Sequence, residues 1–385
     1  MSAPDISDIE RNAVADVLRT PVLSMGMQTE AFEDAVRQYS GAKHAIAVSS
    51  GTAGLHLCVR AANIGAADLV LTSPYSFIAS SNVLLYENAV PIFVDVEQSS
   101  GNLDVGQLAE AVKQLSKGLD SGKKWLPRKG YSADSRLRGI LAVDIFGQAA
   151  DFETIRELGK EYGLAIIEDS CEAIGAEYLG HKAGVLGDTG VFAFYPNKQM
   201  TTGEGGVVVT NDDAMAAMMR SLRNQGRGPG DAWLQHKYLG YNYRMTELSA
   251  VLGRVQIERL DGFLEQRARV ADWYAERLAD LDVLELPQLD AKTTRMSWFL
   301  YVVRVAQGID RDKVINALAE AGIPSRAYFT PIHLQPFMVE KFDYRKGDFP
   351  VTEDLGSRSL ALPFSSVMTE DQVDLVCSEL KEILK

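Results

Sequence analysis

Seven short apolar runs separate longer amphipathic stretches in the first 210 residues of the chain. The runs are rich in β-branched residues and often end in small or acidic ones, a pattern typical of buried strands. They occupy residues 45–52, 69–77, 90–96, 139–147, 164–170, 189–194 and 205–210, with helical patterns between several of them, such as 52–65 and 151–163. This alternation predicts an α/β fold with a mostly parallel seven-stranded sheet covered on both faces. Ligands of such sheets bind outside the carboxyl ends of the strands.

The pattern changes near residue 245, where the stretch 246–281 predicts a long helix with one possible break. A strand is predicted at 297–305, a helix at 310–322, an ordered loop at 328–337 and a closing helix at 369–384, with Thr369 as its N-cap. We therefore predict a large domain over residues 1–245, followed over 246–385 by the connecting helix and a small C-terminal α/β domain. The basic stretch 116–139 is long for a connection, which is typical of a functional or a mobile insertion.

The composition is that of an ordinary globular protein, with 46% apolar and 24% charged residues. A net charge of −13 argues against nucleic acid as a partner, because phosphates bind basic surfaces. No apolar run approaches the roughly 20 residues that span a bilayer, and the N-terminus lacks an apolar signal core. We therefore expect no membrane partner and a cytoplasmic location. Three distant cysteines and five scattered histidines predict neither a disulfide framework nor a metal site.

Four groups at predicted strand ends could carry chemistry, and each also has an ordinary structural explanation. The turn with Gly51 and Thr52 opens a helix and could bind a phosphate, or could be a simple cap. Asp169 could cap a helix, or could hold a ring nitrogen protonated. Phe77 could belong to the core, or could lie against a flat cofactor ring. Lys198 could anchor an anion, or could be an amine that condenses with an aldehyde.

These four groups are the parts of a pyridoxal phosphate site, and they occur in order at the strand ends of one parallel sheet. The motifs that contain them are also specific. They include SSGTAGLHL, IIEDSCEAIGAEYLG, FAFYPNKQMTTGEGG and GYNYRMTEL. In these motifs the chain resembles the sugar aminotransferases of the DegT/DnrJ/EryC1/StrS family, and the resemblance covers nearly its whole length. It implies an aspartate-aminotransferase-like fold of type I and pyridoxal 5'-phosphate as the cofactor.

The resemblance also implies roles for individual residues. Lys198 matches the lysine that forms a Schiff base with the cofactor, and Asp169 matches the acid that binds the pyridine nitrogen. Phe77 matches the aromatic residue that stacks on the ring, while Gly51 and Thr52 match the phosphate-binding turn.

One further match, and three departures, concern the surroundings of the cofactor. Asn242 matches a residue that reaches the cofactor phosphate of the neighbouring subunit, which implies a homodimer with shared active sites. Many relatives have serine where Ala193 stands, and Asn197 or Tyr195 are the candidates to replace that phosphate contact. Many have histidine or glutamine where Glu172 stands, so we expect this carboxyl near the ring hydroxyl.

A third departure is Asp144, where relatives often have histidine. We expect these changes to mark a subgroup and not a loss of the cofactor.

By the same resemblance, L-glutamate is the expected amino donor and a keto sugar the acceptor. A nucleotide-linked 4-keto-6-deoxyhexose is expected, for cell-surface polysaccharide or secondary-metabolite biosynthesis. A non-nucleotide keto sugar, such as an oxo-octulosonate or a keto-cyclitol, remains an alternative. A sugar dehydratase, in which histidine replaces the lysine, and a non-catalytic sensor of the same fold both fit less well, because Lys198 is present. The candidate substrate-binding residues are Tyr195, Arg227, His236, Arg326 and His333.

Overall fold

The computed structural model describes residues 3–228, 232 and 235–385. The helices are α1 Asp8–Leu18, α2 Met27–Ser40, α3 Gly51–Ala61, α4 Ala79–Tyr86, α5 Val105–Leu115, α6 Phe152–Tyr162, α7 Asp213–Arg223, α8 Glu247–Glu258, α9 Leu260–Leu278, α10 Arg311–Glu320, α11 Pro336–Phe342, α12 Pro350–Arg358 and α13 Glu370–Ile383. The strands are β1 His44–Val48, β2 Asp68–Thr72, β3 Val90–Phe93, β4 Arg136–Val143, β5 Ala165–Asp169, β6 Glu177–Tyr178, β7 His181–Lys182, β8 Thr189–Ala193, β9 Gly206–Thr210, β10 Leu284–Glu285, β11 Thr293–Arg295, β12 Tyr301–Val305, β13 Arg326–Ala327 and β14 Ser359–Leu362. Among the described residues, no helix combines the length and apolarity needed to cross a membrane.

The seven predicted strands form one sheet in the order β1-β9-β8-β5-β4-β2-β3. β9 runs antiparallel to both of its neighbours, and the other pairs in the sheet are parallel. The predicted, mostly parallel α/β sheet is therefore confirmed. Its strands are almost wholly buried, because helices cover both faces. The carboxyl ends of β1, β5 and β8 lie on the same edge, where the chain places Gly51, Asp169 and Lys198.

Helices α2, α8 and α9 cover one face of this sheet near β1, β9 and β8. Apolar side chains from both sides form the contact. The sheet contributes Ala45, Ala47, Phe192, Val207 and Val209, and the helices contribute Phe32, Val36, Ala250, Ile257, Leu260, Phe263 and Leu264. The predicted long helix thus covers the large sheet, and it is broken once, at Arg259, between α8 and α9.

The C-terminal part contains a four-stranded antiparallel sheet in the order β10-β12-β14-β13. The closing helix α13 begins as predicted, with Thr369 and Gln372 forming a capping box. The strand predicted at 297–305 is shorter, because only Tyr301–Val305 pairs in the sheet. The N–H groups of Ser297 and Phe299 instead donate to the carbonyls of Gly147 and Phe146, which follow β4 of the large sheet, at 3.1 and 3.0 Å.

The stretch 116–139 contains a short 3-10 helix at Lys123–Trp125 and the start of β4. Trp125 and Leu126 pack against the core of the large sheet. Arg128 forms an ion pair with Asp348 at 2.7 Å. The stretch is therefore attached to the segment that precedes α12.

The start of α2 is capped by a carboxylate that lies 221 residues further along the chain. Gly26, the N-cap of α2, has no side chain to offer. Glu247 accepts from the N–H groups of Gly26, Gln28 and Thr29 at 3.0, 2.8 and 3.0 Å, and from the Thr29 hydroxyl. Burial by itself would raise the pKa of Glu247, but these hydrogen bonds outweigh it and lower the pKa.

Replacing Glu247 by glutamine is expected to lower the free energy of unfolding by about 2 kcal/mol at pH 7, because the charged cap of α2 is lost. The folded pKa of Glu247 lies below its unfolded value, so its contribution is present above the unfolded pKa and disappears as pH falls through the folded one. Urea unfolding at pH 7 and at acid pH measures both effects. Glu258→Gln, an exposed site on the same helix, is the control. Equal stability of the two variants at pH 7 would contradict the assignment.

Candidate active site

A cavity of about 490 Å³ opens at the carboxyl edge of the large sheet. Most of the residues that the sequence singles out for the cofactor lie in its wall. The predicted residues that line it are Gly51, Thr52, Phe77, Asp169, Glu172, Tyr195 and Lys198. The sequence therefore identified residues that the fold brings together from four separate segments.

The first residues of α3 form one end of the cavity. Ser50 caps the helix by accepting from Ala53 N–H at 3.1 Å, while Gly51 and Thr52 have N–H groups without helical partners. A Cβ at Gly51 would lie 2.6 Å from the Ala193 Cβ, so only glycine allows the turn to approach β8 this closely. The N-terminus of this helix offers N–H groups and a positive dipole end to an anion.

Ala193 lines the wall near this turn, and its side chain offers no hydroxyl to an anion. Asn197 also lines the cavity, and its Oδ1 is buried without a hydrogen-bond partner among the described residues. A side-chain amide can either accept or donate, depending on which way it is turned. Asn197 thus remains a candidate to complete an anion site.

Asp169 ends β5 with its carboxylate in the cavity wall and is 5% exposed. Its Oδ2 accepts from Ser80 Oγ at 2.7 Å, and its Oδ1 accepts from Cys171 N–H at 3.2 Å. An ionised carboxylate can accept about four hydrogen bonds, so it keeps capacity for a donor in the cavity. The two existing bonds hold it in one orientation.

The Lys198 amine lies between a carboxylate and an aromatic ring. Its Nζ is 3.3 Å from Glu172 Oε1 and 3.8 Å from the centre of the Phe299 ring. Burial raises the pKa of Glu172, and the positive charge of Lys198 counters this only in part. Phe146 N–H donates to the other oxygen, Oε2, at 3.0 Å. Glu172 can therefore accept from the amine or, when protonated, donate into the cavity.

Two aromatic side chains stand at the mouth of the cavity. Phe77 is 62% exposed and Tyr195 is 54% exposed, although both line the wall. The alternative that Phe77 is a core residue is therefore wrong. An aromatic ring left exposed beside a cavity can pack against a flat ligand.

Beneath Asp169 lies a buried pair of carboxyl groups, Asp144 and Glu168. Ser170 Oγ lies 2.5 Å from Asp144 Oδ2 and 2.9 Å from Glu168 Oε1, and so bridges them. Glu168 also accepts backbone N–H groups from Gly184, Leu186 and Gly187. Burial and the nearby charge of Glu168 raise the pKa of Asp144 well above its usual range. Burial raises the pKa of Glu168 as well, but its backbone N–H donors oppose this, so we place the proton of the pair on Asp144.

Replacing Asp144 by asparagine is expected to stabilise the protein at pH 8, because the buried Asp144 carboxyl keeps a proton that the unfolded chain releases, whereas asparagine does not titrate. Because the folded pKa of Asp144 is raised, its contribution to stability declines as pH rises from the unfolded pKa to the folded one. The gain from Asn should therefore grow with pH, which thermal unfolding between pH 5 and pH 8 measures. Glu168→Gln, which disturbs three backbone hydrogen bonds, should destabilise instead. A gain that does not change with pH would contradict this account.

Four other predicted residues do not line the cavity of this protomer. Arg227 is half-buried, whereas His236, Arg326 and Asn242 are exposed. The His236 Nδ1 lies 2.7 Å from the Gln225 carbonyl. Their contacts with substrate or with a partner subunit stay predictions.

The placement of His333 argues against its prediction as a substrate-binding residue. Its side chain is fully buried, and its Nε2 lies 3.0 Å from Glu353 Oε1. Its ring packs edge-on against Phe349, at 4.8 Å between centres. Burial lowers the pKa of His333, although Glu353 counters this in part. These contacts and its complete burial correct the prediction for His333 to a packing role.

The sequence analysis missed several residues of the cavity. Ser80 follows Phe77 by three residues on the first turn of α4, so its position within the same short motif was a usable signal. Phe299, Tyr328 and Phe329 come from the C-terminal part. Phe299 lay within a predicted strand, and nothing local distinguishes it from a core residue.

These residues fit pyridoxal phosphate. The start of α3 can hold a phosphate, the exposed ring of Phe77 can cover a flat ring, and Asp169 has an acceptor site left for a pyridinium N–H. Lys198 supplies the amine that an aldehyde needs. The Oδ1 of Asn197 has no hydrogen-bond partner among the described residues, and the Asp169 carboxylate can accept further hydrogen bonds. Both features are typical of a cavity wall that binds a polar ligand.

Comparison with known proteins supports the family that the sequence resembles. The sequence model of the DegT/DnrJ/EryC1/StrS aminotransferase family matches residues 4–381. The chain is 36% identical over 387 residues to a GDP-perosamine synthase of Caulobacter vibrioides, covering 100% of this chain and 98% of that protein.

Solved structures show the same similarity. A DegT/DnrJ/EryC1/StrS aminotransferase from Brucella abortus is 29% identical and superposes with a TM-score of 0.87, covering 97% of this chain and 95% of that one. Helicobacter pylori PseC, an aminotransferase in pseudoaminic acid biosynthesis, is 25% identical with a TM-score of 0.88, covering 100% and 98%. Both the fold of type I and the predicted family are thereby confirmed.

Proposed function

Because the chain belongs to the DegT/DnrJ/EryC1/StrS aminotransferase family, we propose that it transfers the amino group of L-glutamate to a nucleotide-linked 4-keto-6-deoxyhexose. It is an aminotransferase that uses pyridoxal 5'-phosphate. The observation that carries the proposal is Lys198, whose amine faces the cavity beside Asp169 and the start of α3. The match to a GDP-perosamine synthase over the full length supports a nucleotide-linked acceptor.

Each residue has a defined task in this reaction. Pyridoxal phosphate, when bound, supplies an electron sink for the carbon that carries the amino group. Lys198 removes a proton from that carbon and later returns one, because a single amine beside both positions can act as base and then as acid. Asp169 keeps a proton on the ring nitrogen, and Ser80 holds Asp169 in orientation.

The remaining residues bind the cofactor and the substrate and enclose them. The N-terminus of α3 holds the phosphate through the N–H groups of Gly51 and Thr52. Phe77 covers one face of the ring and keeps water from it. Glu172 holds the Lys198 amine at 3.3 Å when the amine is charged. We place Tyr195 at the mouth, where its exposed ring can pack against the sugar.

We further propose a homodimer in which each subunit completes the site of the other through Asn242. Asn242 is exposed, and so are the apolar side chains of Leu23, Met25 and Met27. The last three lie within three residues of Ser24, which pairs with Thr246, four residues after Asn242 in the sequence. Such an apolar surface is typical of an interface between subunits.

The two steps of the proposed reaction can be tested separately. L-glutamate alone should change the absorbance of the bound cofactor and release one equivalent of 2-oxoglutarate. A panel of keto sugars then follows, and the active acceptor is the one that restores the original absorbance. The panel holds GDP-, TDP- and UDP-linked 4-keto-6-deoxyhexoses and a keto sugar without a nucleotide. Restoration by the last alone would overturn the proposed substrate, and no response to L-glutamate would overturn the proposed donor.

Sharing of the active sites can be tested by co-expressing two inactive variants, Lys198→Ala and Asn242→Ala. In a mixed dimer, one site receives an intact Lys198 from one subunit and an intact Asn242 from the other. Activity should therefore return in the mixed dimer but in neither parent. Mixed dimers that stay as inactive as their parents would exclude a shared site.

A further inference from the structure

Helix α9 carries a buried arginine directly behind the reactive lysine. Arg267 is 2% exposed. Its Nη2 donates to the carbonyl oxygen of Lys198 at 3.0 Å. Its Nη1 donates to the carbonyl oxygens of Trp298 and Phe299, at 3.1 and 3.2 Å. One guanidinium thus joins the segment that holds the lysine to the segment that holds the ring beneath it.

Among the described residues, no carboxylate pairs with Arg267. Burial lowers its pKa to about 10, and no nearby acid opposes this. A buried charge without a counter-charge is costly, so such residues persist only where the surrounding structure depends on them. In this protein three backbone carbonyls, from two segments of the site, accept hydrogen bonds from the same guanidinium. The relative position of these two segments therefore depends on Arg267.

The two joined segments meet at the amine. The Lys198 Nζ lies 3.8 Å from the centre of the Phe299 ring. Gln199 also bridges the segments, since its Nε2 donates to the Glu172 carbonyl and to Ser297 Oγ. The Gln199 bonds do not involve the carbonyls of residues 198 and 299, whereas the planar fork of Arg267 contacts both of these carbonyls at once.

We propose that Arg267 is a positioning residue that fixes the Lys198 amine against the Phe299 ring, within reach of the carbons between which it moves protons. This inference rests on the proposed amino transfer, because it concerns the residue that moves the proton. Lysine cannot replace Arg267, since a single ammonium cannot span three carbonyls in a fixed plane.

The test compares Arg267→Lys with Arg304→Lys. Arg304 is a matched control, because it is also buried and donates to two backbone carbonyls, those of Gln98 and Ser99, away from Lys198. The first measurement uses protein without cofactor. Limiting acetic anhydride labels the lysines in competition, and mass spectrometry compares Lys198 with Lys182. In Arg267→Lys the relative labelling of Lys198 should rise several-fold, whereas Arg304→Lys should leave it unchanged.

The second measurement is the single-turnover rate with L-glutamate. In Arg267→Lys it should fall by about 10²-fold, the effect expected when a reacting group is displaced by about 1 Å. The donor concentration for half-maximal rate should change much less, because Arg267 does not contact the donor. A folded Arg267→Lys protein with wild-type Lys198 labelling and a wild-type rate would overturn the proposal. So would a loss of thermal stability without either effect.

A third variant keeps the proposal testable if Arg267→Lys does not fold. Phe299→Leu removes the ring but retains the carbonyl that Arg267 binds. It should raise the relative labelling of Lys198 in the cofactor-free protein, and unchanged labelling would overturn the proposal. Failure of the wild-type protein to bind pyridoxal phosphate would instead refute the proposed function, since the labelling experiment does not need the cofactor.

Discussion

Replacing Lys198 by alanine is expected to lower the rate of amino transfer by about 10⁴-fold or more, because the group that removes and returns the proton is lost. The visible absorbance of the protein with pyridoxal phosphate should also change, since no amine remains at that position to hold the cofactor. The measurement is the release of 2-oxoglutarate from L-glutamate, together with the absorption spectrum of the loaded protein.

Lys182→Ala is the matched control for this variant. Lys182 also has a glutamate partner, Glu177 at 3.0 Å, and lies over an aromatic ring, that of Tyr39 at 4.7 Å. It differs from Lys198 in its place, which is outside the cavity. Its loss should leave the rate unchanged. A Lys198→Ala protein that turns over at the native rate would refute the mechanism.

Replacing Asp169 by asparagine is expected to reduce the rate by about 10³-fold, the usual effect of losing one group aimed at developing charge. Asparagine has nearly the same shape and can still accept from Ser80, so the fold should persist. It cannot stabilise a proton on the ring nitrogen, which is why the electron sink weakens. The rate of the step with L-glutamate should fall far more than the affinity for pyridoxal phosphate.

Asp144→Asn separates this effect from a general loss of buried carboxyl groups. Asp144 follows β4, the strand beside β5, and its N–H donates to the Asp169 carbonyl at 3.1 Å. Its side chain, however, does not line the cavity. That variant should keep its activity while gaining stability. Equal losses of activity in the two variants would mean that Asp169 has no special relation to the cofactor.

The large sheet was predictable because its strands are buried on both faces. A strand of that kind is a continuous apolar run, whichever strand lies beside it. The order of the strands, and the reversed direction of β9, depend on pairings between distant residues, and the apolar runs do not contain that information. The single break between α8 and α9 was expected, but its position at Arg259 was not.

Some residues of the site could likewise be predicted from the sequence, and others could not. Gly51 and Lys198 follow strands and Asp169 ends one, so the rule about carboxyl ends found them. Phe299 reaches the cavity because its N–H bonds to Phe146, a contact across 153 residues that its own neighbours in sequence do not indicate. His333 shows the opposite error, since a histidine in a predicted ordered loop was expected to bind substrate, whereas its side chain is buried.

Helices α8 and α9 cover one face of the large sheet, but the ribosome synthesises them after all the strands of that sheet. Residues 1–245 contain every strand of that sheet, yet within them α2 covers only part of the apolar face formed by Phe192, Val207 and Val209, and the later helices α8 and α9 complete the cover. Until those helices emerge from the ribosome, the nascent sheet presents the rest of this face to chaperones or to other nascent chains. We therefore expect a gene fragment that stops at residue 245 to yield aggregated protein, although the sheet that it encodes is complete.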